Sequence, residues 1–103
     1  MLTKFQIKMN KLKFKKILHI TECGAKYKDI ICTGRRHSDC HNKLRNMGIA
    51  IFPGITNGFI TSGGKFVSRT KAAEIALSCG QIDAIPIEGI ITSYDIWQKD
   101  YNV

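Results

Sequence analysis

The sequence contains no apolar stretch that approaches the roughly 20 residues needed to span a membrane. It also lacks a secretory signal, because the apolar run at Ile17–Ile20, which follows six lysines, is too short to be the core of one. With 103 residues, 44% of them hydrophobic, the chain has the size and composition of one small globular domain. These features predict a cytoplasmic protein that does not contact a membrane.

Disulfide bonds are not expected, although the sequence contains four cysteines at positions 23, 32, 40 and 79. In a chain without a secretory signal, reduced thiols are the default state. His37 and Cys40 have the spacing of a zinc knuckle, but no clean second pair of ligands follows them. We therefore expect buried structural thiols, no metal site and no cofactor.

Acidic residues are scarce in the first half of the chain. Through Arg45 there are twelve Lys/Arg and three Asp/Glu, whereas the remainder has four and five, for a net charge of +8. This asymmetry predicts an anionic partner, which is a nucleic acid, a phosphorylated ligand or an acidic protein. A lysine-rich composition without any such partner is the alternative.

Catalytic groups are also lacking, because no pair of carboxylates stands out for acid–base chemistry. Cys40 and His41 are neighbours on a predicted helix and point about 100° apart, so they do not easily form a thiol–imidazole pair. We expect a non-catalytic binding protein.

Two β-prone runs, Ile17–Cys23 and Tyr27–Thr33, flank Gly24-Ala25-Lys26 and predict an N-terminal hairpin. Two shorter runs, Phe59–Thr61 and Lys65–Val67, flank a glycine-rich turn. The fold class predicted is α+β, a small single domain with an N-terminal β-hairpin, two short helices and additional short antiparallel strands.

Helix start and stop signals occur twice. Ser38 or Asp39 can cap a first helix, which Gly48 should end. Ser68 can cap a second helix, which Gly80 should end. Residues 1–12 are predicted to be a flexible basic tail and residues 13–103 the ligand-binding domain, and Met9 is as good a start as Met1.

The most specific feature is the segment Gly34–His37, which lies between a strand and a helix start. Arg35 and Arg36 beside a helix N-terminus favour an anion. The segment Gly58–Arg69 adds aromatic rings, hydroxyls, glycines and cations, and a purine can stack on an aromatic ring. Taken alone, the two arginines are explained equally well as solvated side chains at a strand end, and the aromatic rings as residues of the core. The combination predicts a phosphorylated ligand with a planar ring.

Four segments carry a resemblance to one group of phage proteins: Thr33–Asp39, Gly58–Ser62, Lys65–Arg69 and Thr92–Trp97. From about residue 17 to residue 97 the sequence resembles the first-described family of phage Thoeris anti-defence proteins, the nucleotide sponges. The resemblance implies that the protein binds glycocyclic ADP-ribose made by TIR-domain immune enzymes without cleaving it, and some members of that family also have separate sites for cyclic oligonucleotides. It also implies a homo-oligomer, dimer or hexamer, with a pocket between two subunits.

The residues and their resemblance to this family together give a set of predicted ligand-binding residues: Arg35, Arg36, His37, Phe59, Thr61, Ser62, Gly63, Lys65, Phe66, Ser68, Arg69, Ser93 and Asp95. The sequence departs from the family pattern at Lys65, where an arginine is common, and loses bidentate phosphate geometry there. Tyr94 stands where glutamate is usual. Residues 82–98 hold no basic residue, although the corresponding family loop commonly does.

Two other functions fit the charge. A small basic nucleic-acid-binding regulator would lose affinity steeply with salt. Neither predicted helix has a continuous basic face, so nucleic acid is the less favoured partner. An inhibitor that contacts an acidic host protein is the third possibility.

Overall fold

The computed structural model describes residues 17–49 and 52–97, and the predicted tail over residues 1–12 lies outside them. Four strands form one antiparallel sheet in the order β2-β1-β3-β4. The elements in chain order are β1 (Ile20–Tyr27), β2 (Ile30–Gly34), α1 (His37–Asn46), a 3-10 turn (Phe52–Gly54), β3 (Thr56–Thr61), β4 (Phe66–Ser68), α2 (Arg69–Ser78) and α3 (Ser93–Ile96). The predicted α+β class is confirmed.

The N-terminal hairpin is confirmed, but its turn is not at Gly24-Ala25-Lys26. Those residues lie inside β1, and the chain reverses at Lys28-Asp29, where Lys28 has a φ of 53°. Gly24 pairs with Thr33 and Gly58 inside the sheet, and a Cβ there would lie only 3.0 Å from the ring of Phe66. The glycine thus admits an aromatic ring onto the sheet.

The hydrophobic core lies between the sheet and both helices. Because strand side chains alternate, Cys23 and Ala25 point toward the helices while Lys26 points away. Phe59 and Leu44 are among the largest fully buried side chains, and each contributes about 1.5–3 kcal/mol of transfer free energy. The buried alanines of α2 let that helix approach the sheet closely; they are Ala72, Ala73 and Ala76.

The end of α1 follows the prediction, but its start does not. Gly48 follows the C-cap with a φ of 85°, a conformation that suits glycine. The N-cap is Arg36, not Ser38 or Asp39, because the helix already begins at His37. Asp39 lies in the first turn, where its carboxylate accepts a hydrogen bond of 3.1 Å from the Arg36 N–H.

The predicted bounds of α2 are confirmed. The Ser68 hydroxyl accepts a hydrogen bond of 3.1 Å from the Lys71 N–H, and Gly80 follows the helix with a φ of 84°. In residues 17–49 and 52–97, no helix is long and apolar enough to cross a membrane.

A side-chain amide joins the C-terminal segment to the sheet. The Gln81 amide donates to the Ile20 carbonyl and accepts from the Ile20 N–H, both at 2.8 Å. Ile82 and Ile91 then enter the core beneath the segment that leads to α3. This packing carries Ser93 and Trp97 to the neighbourhood of Phe59.

Candidate anion-binding site

The pairing of the strands places the first turns of α1 and α2 near the same part of the sheet. Gly34, at the end of β2, pairs with Cys23, which pairs with Phe59 on β3. Ser68, which caps α2, pairs with Gly58, the neighbour of Phe59. The first turns of α1 and α2 therefore both lie close to the middle of β3.

His37 anchors the start of α1 to β3. Its Nε2 lies 2.8 Å from the Gly58 carbonyl oxygen, and its ring meets the Phe59 ring edge-on at 5.0 Å between centroids. Because a carbonyl only accepts, Nε2 carries the proton. Burial lowers the pKa of His37 below its ordinary value; the hydrogen bond to Gly58 opposes this in part, and nearby Arg69 and His41 lower the pKa further. His37 is thus a neutral hydrogen-bond donor at neutral pH.

The aromatic rings of Phe59 and Trp97 lie next to each other beside the start of α1. Phe59 is fully buried, and its ring lies 6.3 Å from the half-buried Trp97 ring. Phe59 therefore packs within the core, and Trp97 is the aromatic side chain of this pair that reaches solvent. Trp97 was not among the predicted site residues; its place in the Thr92–Trp97 segment was the signal that could have identified it.

Arg35 and Arg36 are exposed at the start of α1. The Arg35 guanidinium lies 5.9 Å from the centroid of the Trp97 ring, which is a cation–π distance. The Arg35 carbonyl accepts a hydrogen bond of 3.4 Å from the Cys23 thiol. Buried Ser93 also hydrogen-bonds this thiol, so the C-terminal segment and the arginine loop meet at one point.

Positive charge predominates around His37. Arg35, Arg36 and Arg69 lie in or beside the first turns of the two helices. Two carboxylates close to this region are both engaged with backbone N–H groups: Asp39 accepts from Arg36, and Asp95 accepts from Thr92 at 2.7 Å. Arg35 and Arg36 are exposed, so this net positive charge is accessible to an anion.

The predicted site residues at the end of β3 and in the β3–β4 turn lie away from Arg35 and the start of α1. This turn begins two to three residues beyond Phe59, which is about 7–10 Å along an extended strand. Its groups hold the turn together: the Lys65 N–H donates to the Thr61 hydroxyl at 3.3 Å, and the Ser62 hydroxyl accepts from His19 at 3.3 Å. The residues that the structure separates from Arg35 in this way are Thr61, Ser62, Gly63 and Lys65.

Phe66 lies on the opposite face of the sheet from His37 and Phe59. A Cβ at Gly58 would lie 2.5 Å from the Phe66 Cζ, so the ring rests across the backbone of β3 and β1 on the face that the helices do not cover. The structure thus does not bring Phe66 together with Arg35. Sequence reasoning grouped them because the alternation of a three-residue strand cannot be inferred from so short a segment.

The cysteine thiols near the site are held in the protonated form. Burial raises the pKa of Cys23 to about 12 and that of Cys40 to about 11. At neutral pH neither is available as a thiolate nucleophile. Over residues 17–49 and 52–97, no three His, Cys, Asp or Glu side chains are grouped to hold a metal ion.

A groove of about 430 Å³ lies away from the arginines, against the outer side of α2. Among the described residues its walls are mainly apolar, and the Lys71 ammonium group in them is paired with Glu74 at 3.3 Å. The residues that line it are Ile17, Leu18, Lys71, Glu74, Ile75, Ser78 and Cys79. None of them belongs to the predicted site, and the paired charge does not favour a phosphate.

Comparison with known families gives one match. A family model described as Phage T4 y16D protein matches residues 15–97. No curated protein and no solved structure matches the chain. The match covers all the elements described above and confirms the expected phage character, while the resemblance to nucleotide sponges stays a prediction.

Proposed function

The chain belongs to the phage T4 y16D protein family, and we propose that it captures a cyclic nucleotide signal of bacterial immunity and keeps it from its receptor. The ligand class proposed is glycocyclic ADP-ribose made by TIR-domain enzymes, with cyclic oligonucleotides as related ligands. The place of action proposed is the cytoplasm of the infected host.

One observation carries this proposal: a guanidinium group and a solvent-reaching aromatic ring lie together at the start of α1. Arg35 and Trp97 are 5.9 Å apart, and Arg36 is the next residue. Guanidinium groups make bidentate, charge-assisted hydrogen bonds to phosphates, and N–H groups of a helix start add to them. An aromatic ring accepts the base by stacking. A phosphorylated nucleotide needs both kinds of contact.

The affinity that a sponge requires favours a closed site formed by more than one copy. A sponge that outcompetes a receptor needs nanomolar binding, about −12 kcal/mol. Charge-assisted hydrogen bonds contribute about 1.5–3 kcal/mol each and stacking about 1–3 kcal/mol, so two or three arginines and one ring approach that value only when water is excluded. Arg35 and Arg36 are exposed in a single chain. We propose that a second copy covers them in a homo-oligomer.

Binding without cleavage is part of the proposal. His37 uses its Nε2 proton in the bond to Gly58, and the Cys23 and Cys40 thiols are protonated. None of these groups is arranged to attack a phosphate or a glycosidic bond. The captured ligand is therefore expected to leave unchanged when the protein unfolds.

The test is to incubate the protein with a glycocyclic ADP-ribose, remove free ligand by filtration, heat the retained fraction and analyse it by mass spectrometry. Depletion of free ligand followed by recovery of the intact molecule is the expected result. Recovery of a product would indicate an enzyme instead. Retention of duplex or single-stranded nucleic acid near physiological salt, without retention of the cyclic nucleotide, would favour the nucleic-acid regulator.

A further inference from the structure

The strand β2 lies at one edge of the sheet, because among the described strands it pairs only with β1. A strand edge presents backbone N–H and C=O groups that can pair with a further strand. Ile31, in the middle portion of β2, is 43% exposed, whereas the next residue, Cys32, is buried in the core. The edge is therefore accessible from the face of the sheet that the helices do not cover.

The hairpin decides which backbone groups of β2 point outward. A two-residue turn joins β1 to β2, so Tyr27 and Ile30 close it as a hydrogen-bonded pair. Hydrogen-bonded and non-hydrogen-bonded pairs alternate along an antiparallel ladder. Counted from Ile30, the residues whose N–H and C=O groups point away from β1 are Ile31 and Thr33.

The ammonium group of Lys43 gives this edge a positive charge. Lys43 lies on α1 and donates a hydrogen bond to the Thr33 carbonyl oxygen, which agrees with an outward-pointing carbonyl. Because an ammonium group has three N–H donors, Lys43 can keep this contact and also bind a carboxylate. Lys26, which lies opposite Ile31 on β1, is a second exposed cation close to the edge.

Two acidic residues lie at the ends of β2. Asp29 is in the turn that precedes the strand, and a Cβ at Gly34 would lie 2.8 Å from the Asp39 Cβ. The Asp39 carboxylate already accepts a hydrogen bond from the Arg36 N–H. The middle of the strand is therefore the part that attracts a negative charge.

We propose that the outer edge of β2 binds an extended, acidic segment of another protein as an additional strand. Main-chain hydrogen bonds to Ile31 and Thr33 supply the pairing, as in other complexes in which a peptide extends a sheet. Because side chains alternate along a strand, carboxylates on the helix side reach Lys43 while β-branched side chains pack beside Ile31. This is a protein-binding activity separate from nucleotide capture, and it does not depend on it.

Charge argues against a second copy of the chain as the occupant of this edge. Pairing of two β2 strands would bring two copies of Lys43 to the same short stretch of sheet. Like charges close together across a strand pair are destabilising, and lysine at an edge is a common protection against pairing between copies. An acidic segment turns the same charge into an attraction.

Amide hydrogen exchange measured by NMR tests the pairing. In the free protein the Ile31 and Thr33 amides should exchange faster than that of Cys32, which bonds to β1. The probe is a capped seven-residue peptide of alternating valine and glutamate. It should slow exchange at Ile31 and Thr33 and leave Cys32 unchanged. The same peptide with lysine in place of glutamate should have no effect.

Variants test the charge, with affinity measured by NMR titration of the glutamate peptide. Lys43→Gln should weaken binding by about 1.5- to 5-fold, the loss of one exposed ion pair. Arg45→Gln is the matched control and should bind as wild type, because two residues along a helix turn a side chain about 200° away. The Arg45 guanidinium donates to Asn42 instead. Melting curves show whether each variant is folded.

Three results would overturn the proposal. The first is that the glutamate peptide fails to slow exchange at Ile31 and Thr33 even at concentrations on the order of millimolar. The second is that the lysine peptide slows it equally. The third is that Lys43→Gln and Arg45→Gln bind the glutamate peptide with the same affinity. None of these results bears on nucleotide capture, which the filtration experiment tests separately.

Discussion

Gly58 is the residue at which an added methyl group should do the most damage to this fold. An ideal Cβ at Gly58 would lie 2.3 Å from the Val67 carbonyl oxygen and 2.5 Å from the Phe66 Cζ. The first of these atoms is backbone of the neighbouring strand, so Gly58→Ala forces β4 away from β3. At Gly24 the nearest atoms, at 3.0 and 3.2 Å, are the ends of two side chains, Phe66 and Ile60, which can give way.

The magnitudes of the two substitutions should differ clearly. Overpacking costs about 1–3 kcal/mol, and Gly58→Ala should reach the upper end because backbone has to move. A loss of about 3 kcal/mol lowers the melting temperature of a domain of this size by roughly 12–24 °C. Gly24→Ala should cost about 1 kcal/mol or less, because alanine also restricts the unfolded chain.

Thermal unfolding followed by circular dichroism measures both variants. Gly58→Ala should also weaken ligand binding, because a shift of the Gly58 backbone around the added methyl group disturbs its own carbonyl, the acceptor for His37 at 2.8 Å. If the two variants melt at the same temperature, Phe66 and Val67 do not pack against Gly58 as described. The account of the uncovered sheet face would then be wrong.

Three further predictions concern proton binding, thiol exposure and helix capping. The pKa of His37 is lowered on folding from its ordinary 6.5, so the unfolded chain binds this proton more readily and the free energy of unfolding should fall as the pH drops below about 6.5. His37→Gln should flatten this pH dependence in urea titrations, and an unchanged slope would contradict the assignment. Iodoacetamide should alkylate half-buried Cys79 before the three buried cysteines, as peptide mapping can show, and equal labelling of all four would refute the burial pattern. Ser68→Ala should cost about 0.5–2 kcal/mol because α2 loses its cap, whereas Ser78→Ala at the other end of the helix should cost little; equal melting temperatures would argue against the cap.

Local signals in the sequence predicted the fold class and most helix ends. Glycines at positions 48 and 80 stop their helices in both the prediction and the structure, because their positive φ angles suit glycine. The hairpin turn was misplaced because Gly24 was taken for a turn residue. Its actual role, making room for Phe66, depends on a partner 42 positions later and could not be seen in a local pattern.

The candidate site was predicted only in part. The Gly58–Arg69 segment was treated as one loop, but the structure divides it among the core, the β3–β4 turn, the uncovered sheet face and the start of α2. Strand alternation and pairing decide this division, and both depend on the register with β1. Trp97 was missed because it approaches Arg35 only through the packing of the chain after α2.

The most direct test of capture by the arginines is a titration calorimetry comparison of three proteins with a glycocyclic ADP-ribose. The double variant Arg35→Glu/Arg36→Glu loses two charge-assisted contacts of about 1.5–3 kcal/mol each, so its affinity should fall by roughly 10²- to 10⁴-fold. The control, Lys26→Glu/Arg45→Glu, makes the same change in net charge at exposed positions outside the candidate site and should bind as wild type. Equal affinities of the two double variants would contradict a site built on Arg35 and Arg36.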